Sequence, residues 1–341
     1  NTTDRLKETS IVEVGQQVKI SILLPHEFII EGISNIDMAY EKITSLTPMI
    51  KKLADAAFIE NDEQTWRVNQ ALMYYWNYRD LTRFNRTIDY TPLVEQGLRK
   101  ILLKSQIDSL SEYKLECSDS FTPKKAIEEL RERALSHRIN HHPFLEELSE
   151  YGINQNRVKV FLENYYVNNR VFHLLIVALS LFSPLERRTE LANNFYDEMG
   201  SGDSAMAHPV LFLKNFNTIG SPQFISPLAE ALYLFNAKVY TAFLLGDCYY
   251  GMGGFGFIEL SMPGQMKKIL KGLEKSGLPR NDLEFWETHI TIDIEHGKTW
   301  FHEMLDVIKT VDQAKKCLMG GMHLLDARAI MYDGFLKRNE D

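Results

Sequence analysis

Cysteine is scarce in this chain. The 341 residues hold three, Cys117, Cys248 and Cys317, far apart and with no C-x-x-C pair. That spacing excludes a disulfide framework and a zinc-thiolate site, and it fits a reducing, cytoplasmic setting. Positive charge is not in excess either: 38 Lys plus Arg face 46 Asp plus Glu, a formal net charge of −8, and no compact basic patch stands out. Neither nucleic acid nor an anionic membrane surface is therefore the expected partner. The most apolar run, Val171 to Phe182, would span about 18 Å as a helix, too short for a bilayer, and reads as a buried core helix. The opening residues Asn-Thr-Thr-Asp-Arg contain no apolar signal core. There is no phosphate loop, no flavin or nicotinamide fingerprint and no internal repeat.

Helical pattern is what the chain has in abundance. Hydrophobic residues make up 45% and charged residues 25%, enough apolar material for a sizeable core. The length predicts two units. Val18 to Leu24 reads as either a short strand or an extended arm. Apolar residues at three- and four-residue spacing predict helices over 35–58, 63–83 and 91–112. The turn-rich stretch 116–124 reads as a linker. Thr122 before Pro123 marks a helix start running to about His137. Further starts are expected at the capping box Ser183-Pro-Leu-Glu186, at Ser226-Pro227, and at Asn281-Asp-Leu-Glu284, the last opening a helix to about Met304. Gly297 interrupts that final pattern with weak helix propensity. The expectation is an all-α bundle over residues 121–341 with an N-terminal helical appendage over residues 1–120.

Three segments carry chemistry. In Glu287-Thr-His289-Ile-Thr-Ile-Asp293-Ile-Glu-His296, the residues His289, Asp293 and His296 stand at i, i+4 and i+7. At about 100° per residue they fall within about 60° of one another on one helix face. Two imidazoles and a carboxylate suit iron or zinc better than magnesium; a solvated polar stripe is the competing reading. Glu198 ends an amphipathic run and precedes His208 by ten residues across a Gly-Ser-Gly-Asp stretch able to turn both side chains inward; a surface cap is the alternative. Glu259 is a lone acid closing Gly251-Met-Gly-Gly-Phe-Gly-Phe-Ile-Glu259. Buried, it would need a partner such as a metal; exposed, it would need none. The glycines there suit close backbone packing. Together the segments supply the carboxylates and histidines of a di-iron centre in a helical bundle.

These residues resemble the heme-oxygenase-like di-iron oxidases and oxygenases. Glu198, His208, Glu259 and His289-x3-Asp293-x2-His296 occur in that family's order, as do His142-Pro143-Phe144, Asp197-Glu198-Met-Gly200 and His208-Pro209-Val-Leu. The resemblance covers about residues 135–310. It is strongest to the N-oxygenases of natural-product biosynthesis, such as the central domain of the streptozotocin-pathway enzyme, although this chain has no room for that enzyme's C-terminal cupin domain. It implies two iron ions held by the six side chains, with Glu163 as an optional seventh ligand. It further implies dioxygen as co-substrate, an external electron donor or reductase, and a homodimer. Through a peroxo-diferric species such an enzyme would oxygenate an amine or guanidine nitrogen of a small molecule. The same centre directed at carbon would instead cleave, desaturate or decarboxylate an amino or fatty acid. A non-catalytic interaction protein is a third reading. Within the wider fold, a heme ligand at His137, His141 or His142 and a nucleophile at Cys248 are the competing sites, and Phe255, Phe257 and Trp286 are candidate pocket walls.

Overall fold

The computed structural model describes residues 6–11, 18–82 and 88–338, and they form two compact units. The first comprises residues up to 111 together with 223–236; the second comprises 112–222 and 237–341. The compact units thus do not follow a single cut at 120/121, because a short later segment belongs with the N-terminal residues.

In the first unit, β1 (Leu6–Ile11) pairs antiparallel with β2 (Lys19–Pro25), and β2 pairs in parallel with the two-residue β3 (Phe224–Ile225). Val18 to Leu24 is therefore essentially a strand, with Ile20, Ile22 and Leu24 buried. Three helices follow: α1 (Ile36–Phe58), α2 (Glu63–Thr82) and α3 (Thr91–Asp108). α2 is buried from Val68 to Asp80, polar residues included. Several of those polar groups are matched in pairs: Arg99 to Asp80 at 2.6 Å, Arg79 to Glu95 at 3.2 Å, and Asn236 to both Asn77 and Gln70 at 3.0 Å. Matching of this kind is the condition for keeping polar side chains inside.

The second unit is helical throughout its regular structure. Its shorter helices are α4 (Pro123–Ser136), α5 (Pro143–Tyr151), α6 (Gln155–Asn169), α7 (Phe172–Phe182), α8 (Leu185–Glu198) and α9 (His208–Leu213). It also holds the last residues of α10 (Ala229–Val239) and the long α11 (Cys248–Lys275), α12 (Glu284–Val307) and α13 (Val311–Lys337). α11 packs along both α12 and α13, and glycine makes that possible. A Cβ on Gly253 would lie 1.9 Å from the Cys317 carbonyl, and one on Gly320 would lie 2.0 Å from that of Tyr250. Backbone meets backbone there, so only hydrogen fits.

The helix starts divide. Thr122 caps α4, its side chain accepting from Lys125 N at 3.2 Å. Ser183 does not cap α8; its hydroxyl turns back to the Leu179 carbonyl at 2.8 Å and closes α7, leaving α8 without a side-chain cap. α10 begins at Ala229, two residues after Pro227. Ahead of α12, residues 280–282 form a 3-10 turn in which the Asp282 carboxylate accepts from Thr218 at 2.6 Å. A complete capping box appears instead at Thr310 and Gln313, opening α13. With α6, the apolar run ending at Phe182 makes a stretch, Gln155–Phe182, that is long and apolar enough to cross a membrane. Its most apolar window is 61% buried within the fold, as in a core helix.

Candidate metal centre

Glu198 is the last residue of α8 and His208 the first of α9. The link between them turns sharply, with positive φ at Gly200 (+83°), Ser201 (+53°) and Gly202 (+100°). A Cβ on Gly200 would meet the Asp203 carbonyl at 2.1 Å, so the glycine after Glu198-Met is required by the turn. The turn brings His208 Nδ1 within 2.9 Å of Glu198 Oε2. His289 of α12 approaches the same carboxylate, Nε2 to Oε1 at 4.0 Å, and its ring centroid lies 4.1 Å from that of His208. One ligand atom from each of Glu198, His208 and His289 falls within 4.8 Å of the others, and all three residues are buried.

A second buried triad of the same kind joins Glu259 of α11 to Asp293 and His296 of α12. The i, i+4, i+7 stripe thus serves both clusters: His289 faces the first, and Asp293 and His296, one and two turns on, face the second. Gly297 has a structural use beside them. A Cβ there would come within 3.0 Å of the Glu259 carbonyl, so its absence lets α12 approach α11 at the triad.

Neighbouring groups fix the imidazole orientations. His289 Nδ1 lies 2.9 Å from the Phe285 carbonyl, which accepts its proton and leaves Nε2 as the lone-pair nitrogen toward Glu198. His296 Nε2 lies 3.0 Å from Asp197 Oδ2 and Nδ1 lies 3.7 Å from Glu259 Oε2. Asp197 thereby orients His296 in the carboxylate–histidine–metal manner. Burial, and then His208, push the His289 pKa down to about 3, so the ring is neutral at pH 7. Burial alone would lower His296, but Glu259, Asp197 and Asp293 outweigh it and lift the pKa to about 10. Burial and the charges of Glu259 and Glu198 hold Asp293 well above the carboxylate range.

The donor set fits a metal. Glu259 Oε2 and His208 Nδ1 are buried with no hydrogen-bond partner, the latter despite its 2.9 Å approach to Glu198. Buried acceptors without donors are costly, and a cation at each triad removes that cost. Oxygen and imidazole nitrogen without thiolate suit iron well.

Other candidates fall outside the two triads. Glu163 lies on α6, half-buried, with Lys159 at 3.8 Å. His137 is engaged through both nitrogens, by Asp326 at 2.9 Å and by Ile139 N at 3.1 Å. His142 likewise takes Asp333 at 2.8 Å and Phe144 N at 3.2 Å, and His141 is exposed. Burial and Asp247 raise the Cys248 pKa, the reverse of an activated thiol. Phe255, Phe257 and Trp286 are core residues and not cavity walls: Trp286 donates to Asn215 at 2.7 Å, Phe257 stacks on Phe301, and Phe255 packs on Phe172.

The cavity beside Glu198, Glu259, His289 and Asp293 is walled instead by Tyr165, Phe172, Met262, Met266, Phe285 and Met331, with Lys238 and Arg328 among its lining residues. None of these carries a motif, and only convergence in the fold identifies them.

No curated protein matches the chain. Among solved structures, a CADD-like protein of unknown function from Nostoc punctiforme PCC 73102 aligns at 15% identity over 63% of this chain and 97% of that one, with a TM-score of 0.52. A domain of unknown function with a heme oxygenase-like fold, from Shewanella denitrificans OS217, aligns at 14% identity over 67% and 95%, with a TM-score of 0.50. These likenesses establish the all-α, heme-oxygenase-like fold. The sequence profile of the iron-containing redox enzymes matches residues 159–329, which include all six candidate ligands, and the chain belongs to that family.

Proposed function

We propose that the two triads hold a pair of iron ions, and that the protein uses them with dioxygen to oxygenate an amine or guanidine nitrogen of a small molecule. The observation that carries this reading is the pair of buried carboxylate–imidazole triads that share one stripe of α12, completed by Glu198, His208 and Glu259 from other helices. Iron bound there would supply one-electron redox chemistry and open positions for dioxygen. The residues do the rest. Glu198 and Glu259 offer carboxylates that can bind terminally or bridge, and Asp197 and the Phe285 carbonyl hold two imidazoles in their ligating tautomers. The methionine and aromatic walls exclude water from the reacting group. Electrons for repeated turnover come from an external donor.

A carbon-directed oxidation is the second reading, favoured by the apolar side of the cavity, where Ile258, Met262, Met266 and Met331 offer contact to an aliphatic chain. A purely structural role fits poorly with Glu259 Oε2 kept buried and unbonded, His296 Nδ1 standing 3.7 Å away.

Anaerobic titration should show two ferrous ions per chain, and His289→Ala should remove the first-triad equivalent. Oxygen is then admitted with a panel of amines, lysine and arginine derivatives, and products are read by mass spectrometry. Added oxygen on nitrogen supports the proposal. Loss of carbon or hydrogen without N–O formation selects the second reading, and failure to bind two irons sinks both.

A further inference from the structure

Two cations line the same cavity as the candidate ligands, and neither has a carboxylate partner among the described residues. Lys238, at the end of α10, is 4% exposed, and its Nζ rests 5.5 Å from the centroid of the Phe172 ring with no hydrogen bond or ion pair. Arg328 of α13 is 3% exposed. Its Nε donates to Gln265 at 3.0 Å, and its Nη2 donates to Tyr165 at 2.7 Å and Tyr332 at 3.2 Å. Those three bonds lock the guanidinium and, among the described residues, leave Nη1 uncommitted.

A buried ammonium without a counter-ion works against folding. Burial and the nearby Arg328 accordingly push the Lys238 pKa well below its usual value. A methionine would pack as well against Phe172 at no such cost, so a lysine at this position calls for a ligand. The helix also widens into a π-turn at Tyr240–Leu244, which begins two residues after this lysine, and such turns cluster at functional sites.

We propose that Lys238 and Arg328 form an anion subsite, and that the molecule presented to the candidate metal ligands is held there by a carboxylate. This deepens the function proposed above and rests on it for the metals alone. One free arginine nitrogen and one lysine nitrogen match the two oxygens of a carboxylate better than the three of a phosphate. Two divalent ions carry one more charge than Glu198, Glu259 and Asp293 cancel; Arg328 adds to that excess, as does Lys238 once it takes up a proton, and a carboxylate reduces it. The apolar wall of Phe172, Ile258, Met262 and Met331 then takes the stem.

The test compares wild type with Lys238→Met and Lys238→Arg by anaerobic calorimetry in the presence of two equivalents of ferrous ion. The probes are L-lysine, L-arginine and decanoate, each against its carboxamide. At least one acid should bind wild type tenfold or more tightly than its amide. Lys238→Met should erase that preference while melting no lower than wild type, and Lys238→Arg should restore part of it. Absence of any preference in wild type, or its survival in Lys238→Met, overturns the subsite. Should Lys238→Met melt lower, recovery in Lys238→Arg supports the proposal and lack of recovery overturns it. Where ferrous ion fails to bind, the same titrations on metal-free protein judge the subsite alone, so a failed metal assignment stays distinguishable from a failed carboxylate clamp.

Discussion

Asp197 belongs to neither triad, yet the second triad depends on it through His296. Its carboxylate accepts from His296 Nε2 at 3.0 Å and from the Ser201 hydroxyl at 2.9 Å. Asp197→Asn should weaken iron at the second triad by roughly 10- to 100-fold, the usual effect of losing such a partner, and leave the first triad tight. A ferrous titration would then show one strong and one weak equivalent, and two strong ones would refute the role. Protons give a second residue-scale test. In the metal-free protein His296, with a pKa of about 10, carries its proton at neutral pH, so iron must displace it. Below that pKa, second-triad affinity should rise about tenfold per pH unit for this proton. Adding ferrous ion at pH 7 to weakly buffered protein should acidify an indicator dye, and a flat response would exclude it. His289, Asp293 and His296 were readable in the sequence as one stripe because side-chain spacing on a helix is a local property, whereas Glu198, His208 and Glu259 stood out only as isolated residues that the family resemblance joined to it. Asp197 was visible only as part of a motif, since its bond to His296 spans 99 positions. Lys238 and Arg328 left no trace, because a lone cation in a helical pattern reads as surface until packing buries it.

Helix contacts in the second unit are set by glycines, and substitutions there separate packing from propensity. Gly253→Ala places a Cβ 1.9 Å from the Cys317 carbonyl, where no side chain can yield. A loss of roughly 3 kcal/mol or more is expected, seen as a fall in melting temperature of roughly 6–12 °C. Gly264→Ala on the same helix meets nothing within 4 Å and is exposed; it should gain about 0.5–1 kcal/mol through helix propensity. Equal effects from both would mean that α11 and α13 do not pack as described. Gly297→Ala is the informative third: its Cβ would press on the Glu259 backbone at 3.0 Å, so iron affinity at the second triad should fall more than stability does. Helix existence was legible from periodicity, and α1 to α4 start within a residue of expectation. Caps were less so. Ser183 carries good capping chemistry but bonds back to Leu179, and Asn281 lies inside a 3-10 turn that Asp282 ties to Thr218, so that α12 begins only at Glu284.

Every candidate ligand belongs to the second compact unit, while residues up to 111 and 223–236 make the first. That grouping was not readable in advance, because the β2–β3 pairing joins Lys19 to Phe224 across two hundred positions, and β3, two residues long, leaves almost no strand pattern to read. The division makes a whole-molecule prediction about metal binding. A ligand that binds only the native state stabilises it by roughly 2.7 kcal/mol at a hundredfold excess over Kd, but only the segments whose opening breaks the site share that gain. Amide exchange compared anaerobically with and without two equivalents of ferrous ion should therefore slow in α8, α11 and α12, which carry five of the six candidate ligands. α1 to α3 should exchange at unchanged rates. Added chelator should reverse the change, and in His289→Ala the protection at the end of α8 should vanish while that around Glu259 persists. Protection spread evenly over both units would mean that iron binds elsewhere, or that the second unit never opens on its own.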